Sequence, residues 1–273
     1  MLIGFNLPIS GPMSTAHDMA RVAQLGEQLG FDYLTLTDHI ALPDVASPGY
    51  PYSESGEFYS PDPGVRHEQL TAAAWVAAKT DKIRLVLAVM VVPHRPAIVA
   101  AKMLTTIDVL SGGRLDVGIG AGWQKVEIDA VATTPFAERG AVTDEYIEAF
   151  KAVWTQKHVT FKGKYTNIDG LLVDPKPVQK PHPPIWVGGE TAPSMRRAAR
   201  VATSGTRSAA TRATCWTRCL AWKLASPGCA ISPPKLAATP PKWASPTASN
   251  ATGSRPRSRP MATGNCSPDP SRW

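Results

Sequence analysis

Apolar positions along the first two hundred residues switch repeatedly between a period of two and a period of 3.6. Leu2–Leu7 (LIGFNL) is a short apolar run ending at Pro8, which predicts a strand. Thr15-Ala-His-Asp18 has the spacing of a capping box, in which a hydroxyl and an acid satisfy the orphan amides of a helix start. Met19, Val22, Ala23 and Leu29 then recur at helical spacing, and Gly30 suits the left-handed position after a C-cap. Phe31–Thr37 (FDYLTLT) is aromatic and β-branched, a second strand. The pattern then lapses. Pro43–Gly64 is rich in Pro, Ser, Gly and Tyr without periodicity and reads as a long loop.

Periodicity returns with a helix over Glu68–Lys79 and the apolar run Ile83–Val92 (IRLVLAVMVV), a strand of the kind buried on both faces. Pro96–Leu110 is helical and stopped by Ser111-Gly112-Gly113; Leu115–Ile119 is a fourth strand. Ala137–Thr155 is a helix with Val142, Tyr146, Phe150 and Val153 on one face. Val159–Val173 reads as a hairpin and Pro184–Val187 (PIWV) as a fifth strand. Strands alternating with helices predict a parallel α/β sheet. A dinucleotide-binding sheet carries its glycine fingerprint in the first βα turn, but that turn here is Pro8-Ile-Ser-Gly-Pro12. Polar and glycine-rich residues sit instead at the C-terminal ends of several strands, where a (β/α)8 TIM barrel builds its site. The barrel is the expected fold.

Three strand ends carry candidate chemistry. Thr37-Asp38-His39 places a carboxylate beside an imidazole, able to bind a cofactor or move a proton, or simply to cap a turn. Gly118-Ile-Gly-Ala-Gly-Trp123 allows a planar ligand to approach the backbone and stack on Trp123, although a tight turn with a core Trp has the same pattern. Trp186-Val-Gly-Gly189 precedes a helix opened by Thr191 and Pro193, an arrangement that binds anions, with Arg196 and Arg197 one turn on. His17, His67, His94, His158 and His182 lack metal-ligand spacing and read as ordinary surface or core residues, so no metal is expected.

Composition divides the 273-residue chain. Residues 1–200 carry 19 Lys+Arg and 21 Asp+Glu, whereas residues 201–273 carry 10 basic side chains against the single acid Asp269. All four cysteines (Cys215, Cys219, Cys229, Cys266) and 10 of the prolines lie in that second part. The chain has no apolar run long enough to span a membrane and no basic segment before its first apolar stretch, which predicts a cytoplasmic protein without a membrane partner.

TDHI, the AVMVVPHRPA block, SGGRLDVGIGAGW, PFAERGAVTDEYIEAFKAVW and PKPVQKPHPPIWVGG occur in this order and spacing. Together they resemble the luciferase-like (bacterial luciferase) superfamily of flavin and deazaflavin oxidoreductases, most closely its coenzyme F420-dependent branch. The resemblance implies a TIM barrel holding F420, or alternatively FMN, and hydride transfer to or from a small organic substrate. It implies that Asp38 and His39 meet the cofactor and the reacting centre, and that Ala88-Val89 forms a non-prolyl cis peptide behind the ring. It also assigns Gly120, Gly122 and Trp123 to the cofactor loop, and Gly188 and Gly189 to the cofactor's phosphate. Some sugar-phosphate dehydrogenases of the superfamily have a catalytic Glu where this chain has Trp123, which argues against that role. A homodimer is common in similar proteins.

The resemblance stops at about residue 200, where the superfamily continues with a strand of the form G-D-x-W-x-P and three more βα units. Three readings of the tail follow. A basic disordered arm would make the chain a nucleic-acid-binding protein, but stacking aromatics on a recognisable fold are missing. A cysteine module needs a second pair to match Cys215-x-x-x-Cys219. The leading reading is a lost reading frame. Taking each codon from the third base of one residue and the first two of the next, Ala202 to Arg207 permit G-D-E-W-Y-P, and Trp216 and Thr217 force Leu-Asp. The expectation is thus a 1–200 barrel portion of about five strands, incomplete, followed by an aberrant 201–273 tail. A remnant with two open sheet edges is expected to fold poorly and be inactive.

Overall fold

The computed structural model describes residues 2–43, 47–50, 54–58 and 65–203. The expectations for the basic tail, with its four cysteines and its reframed strand, lie outside the described residues. In chain order the first elements are β1 (Gly4–Asn6), α1 (Ala16–Gln28), β2 (Tyr33–Leu36), β3 (Ser47–Pro48) and β4 (Glu57–Phe58). Then come α2 (Gln69–Ala77), β5 (Arg84–Leu87), β6 (Met90–Val91), α3 (Ala97–Leu110) and β7 (Leu115–Gly120). The rest are α4 (Lys125–Val131), α5 (Arg139–Thr155), β8 (His158–Lys162), β9 (Asn167–Leu172), β10 (Ile185–Val187) and α6 (Ala192–Thr203).

The main sheet runs β1-β2-β5-β7-β10, with β6 added to β7, and every pairing is parallel. Each strand pairs with the next main-sheet strand along the chain, and a helix lies in every connection. A doubly wound sheet must reverse its strand order; this one never does. It is the arc of a TIM barrel. Among the described residues β1 pairs only with β2 and β10 only with β7, so both sides of the arc are edges.

The core explains the order. Leu34, Leu36, Leu85, Leu87, Leu115, Val117 and Ile119 are fully buried on the strands. Val142, Tyr146, Phe150 and Val153 of α5 are buried, as the periodicity predicts, and Trp154 is buried with them. Trp154 donates its indole N–H to the Ala101 carbonyl of α3 at 3.1 Å, so the largest buried side chain of α5 is also hydrogen-bonded.

Helix α1 shows how local sequence sets a boundary. Thr15 caps it by accepting from the Asp18 amide at 3.1 Å. The Asp18 carboxylate accepts from the Thr15 hydroxyl rather than from the Thr15 backbone amide, so the reciprocal half of the expected capping box is replaced. At the other end Gly30, with φ +81°, and Phe31 donate to the Glu27 and Gly26 carbonyls in a Schellman closure. Leu29, expected on the core face, is exposed because the helix ends at Gln28 before its register reaches the sheet.

Other differences are instructive. The run Ile83–Val92 is two strands, β5 and β6, separated at a cis Ala88–Val89 peptide. The Pro43–Gly64 loop contains the small antiparallel pair β3–β4. Helix α4, only seven residues long, was not legible as a periodic segment.

Candidate active site

The C-terminal ends of β2, β5, β7 and β10 converge on the cis Ala88–Val89 segment. Three glycines make the convergence sterically feasible. A Cβ at Gly118 would lie 2.0 Å from the Leu87 carbonyl oxygen, one at Gly120 would lie 2.7 Å from Val89 Cγ2, and one at Gly188 would lie 2.5 Å from Val89 Cγ1. Real side chains do not approach so closely, so Gly120 of β7 and Gly188 just after β10 leave the space that Val89 occupies, and Gly118 lets the Leu87 carbonyl close in. The Ala88 amide donates to the Leu36 carbonyl at 2.7 Å and anchors the other side.

Asp38 lies beneath this segment. Its carboxylate accepts from Arg95 Nη1 and Nη2, each at 2.9 Å, and from the Val91 amide at 2.9 Å. Its side chain is fully enclosed. Burial pushes the Asp38 carboxyl up, but neighbouring His94 and the two-pronged Arg95 guanidinium outweigh it and hold it at about 2. Arg95 also bonds Glu68, which caps α2 by accepting from the Leu70 and Thr71 amides. One buried guanidinium thus joins the end of β2 to the start of α2 and the turn after β6.

His39, the next residue, points the other way and is partly exposed. Its Nδ1 lies 2.8 Å from Glu127 Oε2. Glu127, on α4, is 2% exposed, and its Oε1 accepts from the Ile40 and Ala41 amides. Burial would raise the Glu127 carboxyl; contacts from His39, His94 and the Ile40 amide more than offset that and hold it below the ordinary glutamate range. His94 is wedged between the two acids, with Nδ1 3.7 Å from Asp38 Oδ2 and Nε2 3.9 Å from Glu127 Oε2.

Over His39 lies an aromatic wall. Trp123 packs against His39, Tyr50 and Phe58 with ring centroids 6.4, 5.1 and 5.4 Å apart. Trp123 is therefore a rim residue and not a core one, and β4 contributes Phe58 to the site from within the supposed loop. Gly122, with φ +83°, turns the chain between β7 and α4, and its carbonyl accepts from Arg139 Nε at 3.0 Å.

Just after β10 the Gly188 amide is spent on the Ile119 carbonyl at 2.9 Å, while Gly189 adopts φ +103° three residues before α6 begins. Arg197, expected near an anion, instead bonds Asp144 at 2.7 Å and the Gly140 carbonyl at 3.1 Å on α5. It docks the helix; it does not face the glycines.

The arrangement brings together Asp38, His39, Ala88, Val89, Gly120, Gly122, Trp123 and Gly188, and holds Gly189 at the adjoining strand end. Sequence reasoning missed Arg95, Glu68 and Glu127, and it took His94 for an ordinary residue. The only cue was the acid four residues after Trp123, which needs α4 to aim it. Among the described residues, the buried side-chain nitrogens and oxygens lacking a hydrogen-bond partner are Arg66 Nε, Gln69 Oε1, His94 Nδ1 and Gln124 Nε2. All four residues lie beside the C-terminal strand ends: Arg66 bonds Thr37, Gln69 bonds the Leu36 carbonyl, and Gln124 follows Trp123. Native proteins leave few buried polar atoms unpaired, so this rim is the candidate ligand site.

Comparison with known proteins identifies the family. The profile of the luciferase-like monooxygenase family matches residues 1–204. The chain belongs to this family. An FMNH(2)-dependent dimethylsulfone monooxygenase of Pseudomonas putida is 33% identical over 184 residues, covering 66% of this chain and 46% of the relative. An uncharacterized protein of Mycobacterium tuberculosis is 33% identical over 181 residues, covering 66% of this chain and 61% of its own length. The chain thus spans about half to three-fifths of these curated relatives. Among solved structures, the monooxygenase RslO1 from Streptomyces bottropensis is 30% identical with a TM-score of 0.57, covering 73% of this chain and 57% of that one. An F420-dependent secondary alcohol dehydrogenase, in complex with an F420-acetone adduct, shares the fold at 20% identity and a TM-score of 0.54, covering 69% and 52%. No helix among the described residues is long and apolar enough to cross a membrane.

Proposed function

We propose that residues 1–200 form the cofactor-binding part of a luciferase-like oxidoreductase that uses coenzyme F420, with FMN the alternative, on a small organic substrate. The observation that carries this is the rim of unpaired buried polar atoms around the Val89 bulge. A flat ring with polar edges fits it, because the bulge offers an apolar back wall while Arg66 and Gln124 retain unpaired nitrogens at the same strand ends; the unpaired nitrogen of His94 faces Asp38 instead. Ala88 and Val89 would support the ring, Gly120–Trp123 would border it, and Gly189 with the first turn of α6 would take its phosphate. Gly188 contributes space and not an amide, since its N–H is already bonded. When bound, the cofactor supplies two-electron, hydride-level redox chemistry.

The chain's own residues supply the rest. Asp38 fixes Val91 and Arg95 and thereby the bulge; its enclosed carboxylate acts through them. His39, partly exposed with its Nδ1 held by Glu127, is the candidate to hold or move the substrate's proton. Trp123, Tyr50 and Phe58 exclude water above it. Titrating the purified chain with F420 and, separately, with FMN tests the reading: saturable fluorescence quenching by one of them is expected, and quenching by neither overturns it.

A second reading concerns the tail. The family match ends at residue 204, both edges of the described sheet are open, and residues 201–273 have a changed composition. We infer that the frame was lost near Val201 and that the chain is a defective remnant of the enzyme. The nucleotide sequence decides it: an alternative frame opening with G-D-x-W-x-P and running through three βα units is expected. A frame littered with stops refutes it.

A further inference from the structure

We propose that Glu127 is a positioning residue that fixes the ring tautomer of His39, holding the proton on Nδ1 and presenting a bare Nε2 to the reacting centre. This rests on the role given to His39 above and names the group that prepares it.

The argument is one of hydrogen-bond bookkeeping around a single carboxylate. Oε1 of Glu127 receives two backbone N–H groups, from Ile40 and from Ala41 at 3.1 Å. Amides can only donate, so Oε1 is an acceptor in every state of the protein. Oε2 faces His39 Nδ1 at 2.8 Å. A carboxylate flanked by two amide donors and two imidazoles has every reason to stay ionised, so Oε2 accepts as well and Nδ1 must donate. A neutral imidazole carries one N–H. With Nδ1 protonated, Nε2 is left as the acceptor.

The other groups around the pair do not compete for Nδ1. His94 approaches Glu127 Oε2 with its Nε2 at 3.9 Å, beyond hydrogen-bond distance, and Asp38 lies on the far side of His94. Phe58 and Trp123 meet the His39 ring with centroids 5.3 and 6.4 Å away, as apolar walls. The backbone amides that Glu127 receives come from the two residues after His39. The same side chain therefore holds both the loop and the ring it carries.

The decisive variant is Glu127→Gln, which preserves shape but leaves one acceptor oxygen and one NH2 donor. The oxygen must stay on the Ile40 and Ala41 amides, because turning the NH2 toward them sets donor against donor. The NH2 then faces His39 Nδ1, which must become the acceptor. The tautomer should invert. The readout is the two-bond proton–nitrogen correlation of 15N-histidine-labelled full-length chain above the imidazole titration, with His39 assigned by loss of its signals in His39→Gln. The wild type should show Nδ1–H with a bare Nε2, and Glu127→Gln should show Nε2–H. A rapidly exchanging mixture or Nε2–H in the wild type overturns the proposal without any variant. An unchanged tautomer in a folded Glu127→Gln protein overturns it too. Where turnover is measurable, kcat should fall at least about 100-fold with little change in KM. Cofactor titration of the same samples separates the two readings. The predicted tautomers without F420 or FMN binding would sink the cofactor reading alone, and binding with the wrong tautomer would sink this one alone.

Discussion

The two ends of the barrel arc are built from similar residue types and treat them in opposite ways. At the N-terminal end of the strands, Arg114 donates to the Ser111, Ile83, Ala77 and Thr80 carbonyls and to the Thr80 hydroxyl. Glu27 accepts three consecutive amides, Asp81 to Ile83, and Asp108 accepts from the Val178 and Gln179 amides and the Gln179 side chain. At the C-terminal end, Asp38 and Glu127 are equally well held, but Arg66, Gln69, His94 and Gln124 each keep one buried polar atom unpaired. One end is closed upon itself, with charge used as mortar. The other is half closed and keeps hydrogen-bonding capacity unspent. The physics of barrels assigns stability to the first and chemistry to the second.

Three measurements would break or sharpen that contrast. Arg114→Ala should have the largest effect, lowering unfolding free energy by about 4 kcal/mol in a denaturant titration, since it orphans several carbonyls at once. Cofactor affinity per folded molecule should stay unchanged; a specific loss of binding would erase the division between the two ends. Gly188→Val is the converse. Its side chain would strike Val89 Cγ1, where a Cβ already lies at 2.5 Å. Affinity for F420 or FMN should fall about 100-fold, with a stability loss of only about 1–2 kcal/mol. Normal affinity would show that the bulge is not the ring's support.

Asp38 belongs to both categories, and pH separates them. Its folded-state value of about 2 lies below the ordinary 3.8, so it contributes stability that is present above the ordinary value and lost as pH falls toward 2. The expected loss is about 2 kcal/mol over that window, and Asp38→Asn should flatten it. A wild-type curve as flat as that of the variant would remove Asp38 from the structural account.

Much of this organisation was legible in the sequence because it is local. The helix α5 was visible in the spacing of Val142, Tyr146, Phe150 and Val153, and the end of α1 in Gly30, whose left-handed backbone few other residues adopt. The break at Ala88–Val89 was readable only through resemblance, since apolar residues on both sides of it look like one strand. Arg197 was misread for the same reason: its sequence neighbours are glycines and a helix start, while its spatial neighbour, Asp144, lies 53 residues earlier.

By itself, then, the sequence determined the alternation of elements, the family, the positions where glycine must stand and the point at which the composition changes. Tertiary structure alone decided what each polar residue does. Asp38 and His39 are adjacent in the chain, yet one is enclosed under Arg95 and the other is turned to the rim against Glu127, 88 residues away. Periodicity records which face a side chain takes relative to its own backbone. Whether a carboxylate becomes a structural tie or a partner to an imidazole depends on which distant donors the fold delivers to it, and only the packing of neighbouring strands and helices fixes that.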